Sequence, residues 1–121
     1  MLYAIISEDI NNSIEKRRNT RLEHLRRIEN LVNEGRVIVA GPHPSIDSDE
    51  PGDAGFTGSL IIAEFPSLEE AEAWATSDPY ALAGVYSSTF MSWLGSTDPD
   101  LQKVDEFIDR RLANINFIGT Q

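Results

Sequence analysis

Leu2–Ser7 reads LYAIIS, a nearly unbroken apolar run that is too short for a helix and stops at Glu8-Asp9 and Asn11-Asn12. A run of that length bounded by polar turn formers predicts a β-strand. Arg36–Ala40 (RVIVA), stopped by Gly41-Pro42 and Pro44, predicts a second strand, Leu60–Phe65 (LIIAEF) a third and Tyr86–Leu94 (YSSTFMSWL) a fourth. Between the first two, Thr20-Arg21-Leu22-Glu23 fits a capping box, so a helix should begin near Arg21, with Ser13–Asn19 as a separate helical turn. Leu22, Leu25, Ile28, Leu31 and Val32 recur at helical spacing, and Gly35 is placed to end the helix in the left-handed conformation. Ser67-Leu68-Glu69-Glu70 opens a second helix with Ser67 as its cap, and Leu68, Ala71, Trp74 and Ala75 as its apolar stripe. Asp78-Pro79 should stop it, because a residue before proline is pushed out of helical geometry.

Strand, helix, strand, strand, helix, strand is the ferredoxin-like βαββαβ order, an α+β fold with two helices on one face of an antiparallel four-stranded sheet. LYAII, VIVA and LIIA are apolar at consecutive positions, so both sheet faces call for burial while two helices cover one. A second copy of the chain would cover the other, which predicts a homodimer; a tail folded back over the sheet is the competing arrangement. Residues 1–95 form the domain, and residues 96–121 a helical extension. There Asp98-Pro99-Asp100 is a helix start, and Leu101, Val104, Phe107, Ile108, Leu112 and Ile115 form one apolar stripe.

At 121 residues the chain holds one domain. Twenty acids against ten bases give a net charge of -10, which argues against nucleic acid and anionic membrane surfaces as partners. Lys16, Arg17, Arg18, Arg21, Arg26, Arg27 and Arg36 concentrate the positive charge on one early segment, either as a solvated helix face or as an anion site. The chain has no cysteine, which excludes disulfides and thiolate chemistry. The absence of a long apolar run or a leader pattern leads to the expectation of a soluble, cytoplasmic protein. The two histidines lack a matching ligand pattern, and the acidic Ser45–Gly58 loop lacks calcium-loop spacing, so no metal is expected. A loop of that length is often functional.

Ser13-Ile14-Glu15-Lys16-Arg17, Arg21 with His24-Leu25, Asn33-Glu34-Gly35-Arg36, Ala40-Gly41-Pro42, Gly55-Phe56-Thr57-Gly58-Ser59, Ala73-Trp74-Ala75, Asp78-Pro79-Tyr80 and Ala83-Gly84-Val85-Tyr86 occur in order. In these the chain resembles the YciI-like family over about residues 1 to 94. The resemblance implies a dimeric α+β barrel of ferredoxin-like subunits, related by fold to muconolactone isomerases and, in some relatives, to dehydrochlorinases. It also implies a pocket histidine and aspartate, which fall here on His24 and Asp78. His43, in a Gly-Pro-His-Pro turn, has no family counterpart.

His24 lies on the edge of the apolar stripe, and Arg17 and Arg21 point to the same side at one-turn spacing. Arginine can grip a carboxylate with two parallel hydrogen bonds, so both are candidate substrate anchors, with Ser59 on the pocket rim. The leading expectation is a cofactor-independent lyase or isomerase acting on a small anionic organic acid or lactone. In it His24 moves a proton, Asp78 holds the imidazole tautomer and Arg21 seats the carboxylate. A non-catalytic ligand-binding dimer and an assembly module are the alternatives.

Overall fold

The computed structural model describes residues 1–95; the helix expected over 96–121, and any return of that segment onto the sheet, lie outside them. The elements are β1 (Leu2–Asp9), α1 (Ile14–Asn33), β2 (Val37–Pro44), β3 (Phe56–Glu64), α2 (Leu68–Thr76), α3 (Pro79–Leu82) and β4 (Tyr86–Gly95), with a single 3-10 turn at Gly52–Ala54. The strands form one sheet in the order β2-β3-β1-β4, antiparallel throughout, which is the ferredoxin-like arrangement.

Register decides which side chains the helices cover. Tyr3 lies opposite Ala63 and Ile5 opposite Ile61. These four form the core with Leu31 of α1, Ala71 and Ala75 of α2, and Phe65. Side chains alternate along a strand, so the intervening residues point to the other face. There Ile6 pairs with Leu60 and Phe90. Ile6, Val39 and Phe90 remain 39%, 45% and 64% exposed, so that apolar face is open among the described residues. Gly58 lies close against β1: a Cβ there would collide with the Ser7 carbonyl oxygen.

Three expectations need correction. The first helix does not begin near Arg21: α1 runs unbroken from Ile14, with Arg17 N–H donating to the Ser13 carbonyl at 2.9 Å, and the Thr20–Glu23 box lies inside it. Nor does its buried face follow the leucine stripe throughout: Leu31 is in the core and Ile28 packs against it, but two polar residues share that face. Arg17, His24 and Leu31, seven residues apart, turn inward, whereas Leu22 and Val32 are 63% and 53% exposed. Finally, β2 continues through Gly41-Pro42-His43-Pro44, because it is an edge strand and a proline's missing N–H costs nothing on the side that has no neighbour. The loop that follows begins at Ser45 as expected but ends at Gly55, because β3 starts at Phe56 rather than Leu60, and the Ser45 amide closes it on the Gly55 carbonyl at 2.9 Å.

Other local signals act as read. Ser67 caps α2 by accepting from the Glu70 amide at 3.2 Å, and Gly35 follows α1 at φ +72°. Asp78-Pro79 ends α2 and also opens α3, with Asp78 as its cap and proline at its first position.

Candidate functional site

α1 places Arg17 and His24 two turns apart on its inner face. Both are 6% exposed, and a charged or polar group at such burial needs partners. Each finds a carboxylate. The Arg17 guanidinium donates from Nε to Asp9 Oδ2 at 2.6 Å and from Nη2 to Asp9 Oδ1 at 2.9 Å, a two-pronged grip, and Nη2 also donates to the Gly58 carbonyl at 3.0 Å. Ser13 donates to the same Asp9 at 2.5 Å. Burial disfavours the Arg17 charge, but Asp9 outweighs it and holds the arginine above its ordinary pKa. Removing one partner from a buried pair of this kind costs about 3–5 kcal/mol. With the Ser13 bond, this grip anchors the first turns of α1 to the end of β1.

His24 meets the second carboxylate. Its Nδ1 lies 2.8 Å from Asp78 Oδ1 and 3.0 Å from Oδ2. Asp78 is 3% exposed and is held in turn by the Tyr80 amide, which donates to Oδ1 at 2.8 Å as the cap of α3. The Tyr80 ring stacks flat on the imidazole, with centroids 3.9 Å apart and planes 11° apart. The Arg17 guanidinium carbon is 5.1 Å from the Tyr80 centroid and 5.1 Å from that of Phe56. Beyond His24 along α1, Arg27 lies over Trp74 at 4.6 Å and donates to the Trp74 carbonyl at 3.0 Å. Burial draws Arg27 below its ordinary pKa, and its Nη1 is enclosed without a partner among the described residues.

His24, Tyr80, Arg17, Arg21 and Ser59 all line one cavity of about 700 Å³ between α1, the β2–β3 edge and the loop that joins those strands. Leu25, Ile28, Pro42, Phe56 and Ile61 make much of its remaining wall apolar. Asp78 stands behind the imidazole and does not line it. Because Nδ1 faces Asp78, the opposite nitrogen, Nε2, is the one left for the cavity. Nε2 has no partner among the described residues and is not among their enclosed, unpartnered atoms. Arg21 is exposed at the cavity and makes no ion pair among the described residues. Ser59 Oγ lies 2.9 Å from the Tyr86 hydroxyl, and burial pushes that phenol up to about 12. Among the described residues no three His, Asp or Glu side chains gather into a metal-sized group.

All five candidate residues therefore belong to one neighbourhood. His24 is more central than its place on the edge of the leucine stripe implies, since it is one of the three buried positions of α1. Arg17 is committed to Asp9, whereas Arg21 is not. Sequence reasoning misses Asp9 and Tyr80. The signal for Tyr80 is local, since a residue two after an Asp cap offers its amide to the cap; Asp9 carries no local signal, since its partner is eight residues away and on another element.

A ferredoxin-like α+β domain with a buried His–Asp pair at the wall of a basic, largely apolar cavity is the class of protein these observations define. A model of the YCII-related domain matches residues 1–91, and the chain belongs to that family. A second model, COQ9, matches residues 80–119. The chain is 57% identical to the protein YciI of Escherichia coli O6:H1 over 86 residues, which cover 71% of this chain and 88% of that relative. It is 47% identical to an uncharacterised protein of Haemophilus influenzae over 91 residues, covering 75% and 93% respectively. Among solved structures it is similar to 5-chloro-2-hydroxyhydroquinone dehydrochlorinase from Burkholderia phenoliruptrix AC1100, in complex with 2,5-dihydroxybenzoquinone. The TM-score is 0.69 at 28% identity, covering 83% of this chain and all of that one.

The Tyr86 environment yields a pH prediction. An unfolded tyrosine ionises near pH 10 and the folded Tyr86 near about 12. A raised folded value contributes stability that is fully present below about pH 10 and is lost between about pH 10 and 12. Urea midpoints measured across that range should fall for the wild type and fall less steeply for Tyr86→Phe; parallel curves would refute the assignment.

Proposed function

We propose that this protein is a small lyase or isomerase that moves a proton on a planar, anionic organic molecule held in the His24 cavity. The observation that carries this reading is the 2.8 Å contact between His24 Nδ1 and a buried Asp78, with the other edge of the ring turned to the cavity. A carboxylate that accepts from Nδ1–H fixes the tautomer and leaves Nε2 with the lone pair, which is the form a general base requires. Arg21, which makes no ion pair among the described residues, lies one turn from His24 and seats a carboxylate or phenolate. Arg17, held by Asp9, acts as a positioning residue rather than as the grip itself. Ser59, whose hydroxyl pairs with that of Tyr86, lines the cavity wall. The apolar walls suit a flat ring.

Dehydrochlorination is the variant supported by the solved neighbour's name. For a chlorinated trihydroxybenzene the balance is simple. A hydroxyl proton first moves to the chlorine-bearing carbon, making the ketone tautomer. A second hydroxyl then loses its proton as the carbon–chlorine bond breaks, its electron pair leaving with chloride and the ring ending as a hydroxyquinone. The carbon that exchanges chlorine for hydrogen is reduced while hydroxyl-bearing carbons are oxidised to carbonyls, so the ring balances itself and no outside oxidant enters. His24 can serve both steps: as base it takes the first hydroxyl proton and as acid returns it to carbon, then as base it takes the second hydroxyl proton and releases it to solvent beside the departing chloride. A double-bond shift in an unsaturated lactone would use the same proton-moving step.

The reading includes a homodimer, in which a second copy covers the open sheet face around Ile6, Val39 and Phe90. Isologous pairing lets one apolar patch bury itself. Sedimentation at micromolar concentration should give twice the chain mass; a stable monomer would refute this part.

Chloride release from 5-chloro-2-hydroxyhydroquinone, with absorbance scans of unsaturated lactones, tests the catalytic part. His24→Ala should lower kcat by about 10²–10⁴-fold. Asp78→Asn, which keeps the helix cap but loses the charge, should lower kcat by less. Arg21→Ala should raise KM with kcat largely kept, the pattern of lost uniform binding. Full activity in His24→Ala would overturn the mechanism, and tight ligand binding without turnover would favour a binding protein.

A further inference from the structure

Tyr80 does more in this geometry than carry the amide that holds Asp78. It is 3% exposed, yet it lines the cavity beside His24. Its oxygen has the Arg17 guanidinium as a neighbour that can only donate, and its O–H hydrogen finds no acceptor among the described residues. The hydroxyl is not sealed in protein either: among the described residues the one enclosed side-chain atom without a partner is Arg27 Nη1. The remaining direction for the O–H is the cavity. The parallel stack at 3.9 Å brings phenol and imidazole side by side, so one small ring can meet both.

We infer that Tyr80 is a further catalytic residue, whose hydroxyl donates a hydrogen bond to the substrate oxygen on which negative charge collects while His24 moves the proton. This rests on the proton-transfer reading above and adds to it the group that meets the oxyanion. Such donors are effective when they are fixed in place before the reaction, and the stack on His24 with Arg17 nearby fixes this one. Burial raises the Tyr80 pKa, against the opposing pull of Arg17 and Arg21, so at neutral pH the phenol keeps the proton it would share. The preferred substrate is then a ring bearing an enolisable or phenolic oxygen beside the reacting carbon, together with an anionic group for Arg21.

Tyr80→Phe removes the hydroxyl and keeps the ring stack. With 5-chloro-2-hydroxyhydroquinone as substrate, it should lower kcat by about 10²-fold, the usual effect of losing one oxyanion donor, while KM moves by less than about 3-fold. Tyr80→Leu, which also loses the stack, should be slower still. Tyr80→Phe with wild-type kcat, alongside an inactive His24→Ala, would overturn the role of the hydroxyl and leave the proposed function intact. If the wild type shows no turnover, the proposed function falls and the hydroxyl is read from binding of 2,5-dihydroxybenzoquinone. There, weakening by about 10-fold in Tyr80→Phe supports the contact, and equal affinity rejects it. Thermal melts of each variant guard against unfolding as the cause.

Discussion

The structure depends on how α1 buries two polar side chains. A helix lying on a sheet ordinarily turns aliphatic residues inward, and Leu31 does so here, but Arg17 and His24 occupy the two equivalent positions before it. Each is tolerable only because a carboxylate from another element meets it: Asp9 at the end of β1 and Asp78 at the start of α3. These two pairs tie the helix to the sheet at one end and to the α2–α3 junction at the other. They also leave a cavity between helix and sheet edge, since side chains tied to carboxylates cannot spread to fill it as leucines would.

The charge distribution gains meaning in that light. An acidic chain with a net charge of -10 gathers its early bases on α1, and three of them, Arg17, Arg18 and Arg21, line the cavity. Arg18 reaches Asp53 of the loop opposite at 3.7 Å, in an exposed contact worth little energetically, and Arg17 is neutralised by Asp9. Arg21 lines the same cavity and makes no ion pair among the described residues. Basic residues that could have been a solvated face are thus divided among three tasks, one structural, one at the rim and one facing the cavity.

Much of the fold was legible because strands announce themselves by composition. LYAIIS and LIIAEF need no partner to be recognised, and Ser67 and Gly35 act through bonds or backbone angles within a few residues. The true start of α1 was not legible. A capping box at Thr20–Glu23 is a valid local signal, but the contact that extends the helix back to Ile14 joins residues on different elements. β2 ran past its prolines because its place at the sheet edge, a property of the whole topology, excuses them. In the site, family resemblance located His24 and Asp78, and their burial together became visible only in three dimensions. Tyr80 was hidden because an aromatic residue after Asp-Pro reads equally well as packing.

The central claim is that Asp78 holds the His24 imidazole with its proton on Nδ1 and its lone pair on the cavity side. Long-range ¹H–¹⁵N correlation spectra of the imidazole, assigned with His24→Gln, report that tautomer directly. At a pH where the ring is neutral, the account predicts the Nδ1–H form in the wild type and a loss of that preference in Asp78→Ala. An Nε2–H ring in the wild type, or a spectrum indifferent to Asp78, would contradict it.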